Sequence, residues 1–130
     1  MKKKIGDINN WAIAAVLLLG FVIVVFGTYT SKQKMAEIEQ SGTPLIAKFS
    51  HIKEFPKTVN HYFYFFYGQE RINCDIISAP EGFSRNVGRF YRIKYLEKYP
   101  ERIVVQFDEE VTDRNVILKS GFQEEDLMAH

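Results

Sequence analysis

Residues 8–31 contain no charged side chain, and residues 11–27, WAIAAVLLLGFVIVVFG, are apolar throughout. A bilayer core of about 30 Å requires about 20 helical residues, and residues 11–30 supply them. In lipid a backbone must satisfy its own hydrogen bonds, so the stretch is expected to be helical despite its many β-branched residues. Trp11 and Tyr29 stand at its two ends, where amphipathic rings favour the headgroup level. Gly20 and Gly27 are seven apart and do not form the close-packing GxxxG pair. A cleaved signal peptide is the rival reading, with Lys2, Lys3 and Lys4 as its basic region. The apolar run is longer than a usual signal core, and no small-x-small cleavage site follows it in Phe26-Gly27-Thr28-Tyr29-Thr30-Ser31. The expectation is therefore an uncleaved transmembrane helix over residues 11–30, preceded by a basic flank over residues 1–10.

Lys2, Lys3 and Lys4 on one side of the helix oppose Lys32 and Lys34 on the other. The positive-inside rule then puts the N-terminus in the cytoplasm and the rest of the chain outside the cell (inner) membrane. Residues 31–44 read as a polar stalk, a helical extension stopped by Gly42 and Pro44. What remains is about 85 residues, enough for one small hydrophobic core. From Leu45 onward 12 Lys and Arg face 13 Asp and Glu, a net of −1. Nucleic-acid binding is therefore not expected, because it relies on a basic footprint. The single cysteine, Cys74, cannot form an internal disulfide and lies too far along the chain to be a lipid-attachment site after the apolar run.

After the stalk the pattern changes to strands. Residues 45–55 form a first one, ended by Pro56. Residues 59–67 and 70–78 make a hairpin around Gly68-Gln69, where glycine at the first turn position suits a type II′ turn. Residues 79–88 are a loop by their Pro, Gly, Ser and Asn content. Strands follow over 89–96 and 102–107, separated by a turn with Pro100. Asp113 is placed to cap a short helix ending at Gly121. The expected fold is thus a small mainly-β domain over residues 45–122. It is a five-stranded antiparallel barrel or sandwich, SH3- or OB-like in size, with a short C-terminal helix and an acidic flexible tail over residues 123–130.

Register follows from the hairpin. A two-residue turn pairs Tyr67 with Glu70, Phe65 with Ile72, Phe63 with Cys74 and His61 with Ile76. Phe63, Phe65, Ile72, Cys74 and Ile76 then share a core face, and a one-residue slip would mix apolar with polar side chains. By the same alternation Tyr91, Ile93, Tyr95, Ile103, Val105 and Phe107 point inward. The opposite face carries Tyr62, Tyr64 and Phe66 beside Arg71, Asn73 and Asp75.

The pattern Tyr62-x-Tyr64-x-Phe66-x-Gly68, then Gly88-x-x-Tyr91-x-Ile93-x-Tyr95, then Pro100 and Ile103-x-x-x-Phe107-Asp108, resembles a broad group of uncharacterised bacterial proteins. These are small membrane-anchored proteins that carry a β-rich domain of unknown function. The likeness covers most of residues 45–122. Such proteins often have Asn-Pro where this chain has Tyr99-Pro100. The resemblance implies architecture and membrane residence and brings no activity or cofactor with it.

Chemical motifs are sparse. His51, His61 and His130 are isolated, without metal-ligand spacing, so neither a metal nor another cofactor is expected. His61 beside Cys74 reads better as a partly buried core pair than as a ligand pair. No nucleophile elbow, phosphate loop or dinucleotide motif occurs. Asp108, Glu109 and Glu110 are acidic but have no second positioned carboxylate to work with. The aromatic face of Tyr62, Tyr64, Phe66 and Arg71 remains, with two readings. It is a surface for a protein partner, with amphipathic rings and a cation–π partner. Alternatively it is covered by the C-terminal segment, the first strand or the rest of a closed barrel.

The functional expectation is a single-pass membrane protein presenting a non-catalytic β domain for protein interaction at the cell envelope. It would serve as an accessory subunit or an immunity-type protein. The alternative is a small membrane-bound hydrolase using carboxylates near Asp108 or His61. Burial of about 20 apolar residues far exceeds surface adsorption. The protein expressed in bacteria should therefore stay in the membrane fraction through carbonate and high-salt washes. Appearance in the soluble fraction at a lower mass would instead mark a cleaved signal peptide.

Overall fold

The computed structural model describes residues 2–128, with side chains from residue 10 onward. The side chains of Lys2, Lys3 and Lys4, and His130, lie outside the described residues. The chain divides into two compact units, Met1–Lys34 and Met35–His130. In the first, helix α1 (Lys2–Ser41) carries the apolar run. Its Asn10–Ser41 portion is long and apolar enough to cross a membrane. The side chains of this run are outward and unpacked, Trp11 at 74% exposure and Phe26 at 65%. Thr28 and Thr30 turn their hydroxyls back to the carbonyls of Val24 and Phe26, at 3.1 and 3.0 Å. That bond hides the two hydroxyls within the helix, as an apolar surrounding requires.

The second unit begins in the last turns of α1. Ile38 is fully buried there, and Glu37 accepts hydrogen bonds from the Tyr99 hydroxyl at 2.7 Å and from Lys98 at 3.1 Å. The stalk segment is helix through Ser41, the helical extension expected, and from Met35 it is part of the β unit. Gly42 stops the helix, as expected. Its N–H bonds the Ile38 carbonyl at 2.7 Å, and a Cβ there would lie 2.3 Å from that oxygen.

Five strands follow: β1 (Thr43–Glu54), β2 (Val59–Tyr67), β3 (Glu70–Ile76), β4 (Phe90–Tyr95) and β5 (Ile103–Val111). They form one antiparallel sheet in the order β3-β2-β1-β4-β5. The hairpin register is the one expected, with Tyr67 opposite Glu70, Phe65 opposite Ile72, Phe63 opposite Cys74 and His61 opposite Ile76. Gly68 has φ 66° and Gln69 is not in the positive-φ region, which is the II′ pattern. Barrel closure does not follow, because among the described residues no ladder joins β5 to β3.

One side of this sheet holds the main core. Ala47, Phe49, Phe63, Phe65, Cys74, Tyr91, Ile93, Tyr95, Ile103 and Val105 are buried in it, with Phe107 partly buried against them. The inward set expected from alternation is therefore the inward set observed. The loop over 79–88 contributes a short 3-10 turn, Phe83–Asn86. Its Phe83 enters the aromatic centre, 4.7 Å from the Phe49 ring and 4.8 Å from that of Phe107.

The other side of the sheet is also covered. Helix α2 (Arg114–Lys119), capped by Asp113 through Asn115 N–H and Val116 N–H as expected, places Ile117 against it. Gly121, at φ 105°, turns the chain so that Phe122 and helix α3 (Glu124–Met128) follow. The residues expected as an acidic flexible tail thus include a helix. Ile46, Tyr64, Phe90, Val111, Ile117 and Phe122 form a second buried cluster.

Two-sided burial has a measurable consequence. Phe65 is 0% exposed on one face and Tyr64 7% on the other. Truncation of either to alanine should lower stability by about 3–5 kcal/mol, the usual cost at a buried aromatic. Arg92→Ala, on an exposed β4 position, should stay within about 0.5 kcal/mol. Chemical denaturation of the detergent-solubilised protein, followed by near-UV circular dichroism, measures all three. A loss near 1 kcal/mol for Tyr64→Ala would mean that the second cluster is not formed.

Candidate functional site

The face that the sequence offers as a contact surface is divided in two by the C-terminal segment. Its inner half is closed. Phe122 sits among Tyr64, Phe66 and Phe90 with ring separations of 5.6, 5.2 and 5.0 Å. The Tyr64 hydroxyl donates to Asp126 Oδ1 at 2.6 Å, and Asp126 Oδ2 accepts the Gln123 N–H at 2.7 Å. Lys48, only 3% exposed at the middle of β1, donates through Nζ to the Asp126 main-chain carbonyl at 2.6 Å. Arg71 stacks its guanidinium 3.9 Å from the centre of the Tyr64 ring. It stands opposite Phe66 in the register, yet its cation–π partner is Tyr64. Of the four expected surface residues, Tyr64 is therefore withdrawn from solvent, Phe66 half covered, and Arg71 exposed at the rim.

The outer half centres on Tyr62, which is half-buried, with His51 and Lys53 exposed beside it. A bulge between Phe49 and His51 on β1 brings His51 opposite Tyr62. Their rings stack 4.6 Å apart, 2° from parallel, and Lys53 Nζ lies 5.4 Å over the Tyr62 ring. Asn60 donates to Asp75 at 3.0 Å beside them. This grouping has no signal in the residues themselves, because a bulge shifts alternation by one residue and the shift falls in a stretch without glycine or proline.

The residues considered for catalysis are not brought together. His61 is buried, with Nδ1 3.3 Å from the Ile76 carbonyl and Nε2 3.2 Å from the Ser84 hydroxyl, so both ring nitrogens are engaged. Cys74 points to the Pro100 carbonyl at 3.7 Å rather than to His61. Asp108 is exposed on β5, where a register shift between Tyr91 and Arg92 leaves residues 107–109 as a bulge. Acidic side chains on a bulged edge strand discourage pairing with another sheet, which is an adequate structural role for them. Among the described residues, no group of three or more His, Cys, Asp and Glu could hold a metal ion. No protein-family model, curated protein or solved structure matches the chain.

Burial dominates the proton equilibria. It pushes the Cys74 thiol up to about 11, and it raises the hydroxyls of Tyr64, Tyr91 and Tyr95 above their ordinary value. For Tyr64 the bond to Asp126 adds to the rise. These groups ionise more readily in the unfolded chain, near 9.0 for cysteine and 10.0 for tyrosine. Their contribution to stability is thus complete below pH 9 and is lost as pH rises through the folded values. Lys48 acts in the opposite sense, since burial lowers its pKa. Unfolding midpoints should hold steady from neutral pH to pH 9 and fall above it. Iodoacetamide should label Cys74 at pH 8 only after denaturation, as read by intact-mass spectrometry. Labelling of the native protein would show that the turn at Pro100 opens.

Proposed function

We propose that this protein is a membrane-tethered, non-catalytic interaction module at the cell envelope, serving as an accessory subunit or an immunity-type protein. Its apolar helix would span the inner membrane with the N-terminus in the cytoplasm and the β domain outside. One observation carries the reading. The domain joined to this helix has its buried polar groups, Lys48, His61 and Tyr64, tied into internal hydrogen bonds. A patch remains in which the exposed His51 and Lys53 flank a half-buried Tyr62. Tyrosine flanked by cationic groups suits protein contact, since it offers a large rigid area with few torsions to immobilise. A domain net charge of −1, from 12 basic and 13 acidic residues, supports a protein partner over a nucleic acid.

A photo-crosslinking amino acid placed at Tyr62 should give a discrete adduct in intact cells, and the same group at exposed Lys119 should not. The combined His51→Ala and Lys53→Ala change should weaken that adduct severalfold. Equal labelling from both positions, or none from Tyr62, would remove the patch as the contact surface. A reporter active only outside the cytoplasm, fused after His130, should be active. Neutralising Lys2, Lys3 and Lys4 should reduce its activity by leaving Lys32 and Lys34 as the dominant flank.

A further inference from the structure

The two edges of the sheet are finished differently. On β5 the register shifts and Asp108, Glu109 and Glu110 are exposed, features that keep another strand from adding there. Strand β3 is the other edge. Its seven residues include no proline and no lysine, its charges are of both signs, and it pairs with β2 without a register shift.

The hairpin decides which main-chain groups of β3 face outward. A two-residue turn makes Tyr67 and Glu70 a pair that exchanges both main-chain hydrogen bonds, and every second pair repeats this. Ile72, Cys74 and Ile76 therefore direct their N–H and C=O groups to β2. Those of Arg71, Asn73 and Asp75 are directed to the outer edge, where no strand lies among the described residues. The side chains of these three residues are exposed. The turn at Pro100 meets Cys74, on the core side of the strand.

Charge along this edge is self-complementary. Two copies of β3 laid antiparallel about Asn73 put Arg71 of each opposite Asp75 of the other, and opposite charges facing across strands stabilise a sheet. A slide of two residues loses both pairs, setting Arg71 against Asn73 or Asn73 against Asp75. A further slide sets Arg71 against Arg71 or Asp75 against Asp75. The charges thus select one register among those that the main chain allows. Their present contacts are compatible with it. Arg71 lies with its guanidinium 3.9 Å from the centre of the Tyr64 ring, and the N–H groups of that planar fork lie in its plane, away from the ring. Asp75 accepts from Asn60 at 3.0 Å, and a carboxylate accepts several bonds at once.

We infer that the outer edge of β3 is a self-association edge. Two copies of this chain join there antiparallel about a two-fold axis at Asn73, so that one sheet runs through both domains. The join supplies about six main-chain hydrogen bonds and an ion pair on each side of the axis. It is small beside the interface of a stable soluble dimer. It suits chains held in one bilayer, where tethering raises the effective concentration of one domain for the next. A helix long and apolar enough to cross a membrane provides such a tether. This goes beyond the contact proposed at Tyr62 and does not depend on it.

Disulfide trapping in isolated bacterial membranes tests the inference on the full chain. Facing residues of a hydrogen-bonded antiparallel pair have Cα atoms about 5.5 Å apart, within disulfide reach. Under mild oxidation Asn73→Cys should therefore give a product of twice the chain mass on a non-reducing gel. The unaltered protein, with Cys74 alone, and Lys119→Cys should each give about tenfold less. With Asn73→Cys in place, Arg71→Asp or Asp75→Arg should lower the product about tenfold, since each sets like charges opposite one another. Both changes in one chain should restore it. Co-expression of the two singly changed chains should also restore it, because their edges complement each other, and chains that had failed to fold could not do so. No product from Asn73→Cys, as much product from Lys119→Cys, indifference to the single changes, or failure of either restoration would each overturn the inference. A product joined to a foreign protein instead of a second copy would overturn it as well. The crosslink at Tyr62 is read for a foreign protein, so the patch and the edge fail separately.

Discussion

Strand β1 is the element on which the domain hangs. It is the central strand of the five, and near its middle Lys48 lies opposite Tyr64 of β2 and opposite Phe90 of β4. Neighbouring residues of one strand face opposite sides of a sheet. Ala47 and Phe49 therefore enter the main core, while Ile46 and Lys48 enter the region beneath the C-terminal helices. The bulge after Phe49 resets this alternation. It frees Gly88 and Arg89 to bond the Phe49 main chain at 2.7 and 2.9 Å, and it sends His51 out to meet Tyr62. The two buried sides take alternate residues of this strand, and the stack of His51 on Tyr62 follows beyond the bulge.

Burial on both sides follows from where the rings stand. Aromatic residues stand on both faces of the five-stranded sheet, so each face has apolar area to cover. The main core takes Phe49, Phe63, Phe65, Phe83, Tyr91 and Tyr95. Tyr64, Phe66 and Phe90 point the other way and would stand in water without Phe122 and Ile117 above them. Rings meeting edge to face, such as Phe90 and Phe122 at 87°, add to the simple removal of area from water. The two sides differ in their buried polar group, since Lys48 lies on the side of the second cluster and His61 packs against Phe49 and Phe83 of the first.

The functional reading follows from how polar groups are distributed. Catalysis needs groups that converge on one reacting atom with their proton states tuned to the task. Here His61 is held between two neutral partners, and the carboxylates of Asp108, Glu109 and Glu110 are spread along an exposed edge. What does meet at Asp126 is the Lys48 ammonium on its main-chain carbonyl and the Tyr64 phenol on its carboxylate, with Arg71 stacked on the Tyr64 ring. The proposed interaction role takes its support from the patch at His51, Lys53 and Tyr62 and from a helix long and apolar enough to cross a membrane.

The apolar helix, the Gly68 turn, the hairpin register, the Asp113 cap and the inward set from Tyr91 to Phe107 were all legible in the residues, because each depends on local chemistry or on a period of two. Tertiary structure decided the rest. Tyr64 alternates as an outward residue, and only the docking of Phe122 and Asp126 makes it core. Phe83 sits in a run of loop-forming residues, and only the folding of that loop over the sheet brings it to the aromatic centre. Lys48 reads as a surface lysine until a segment 78 positions away supplies its oxygen. Alternation states which side of a strand a residue faces, and it cannot state what arrives from a distant part of the chain to cover that side.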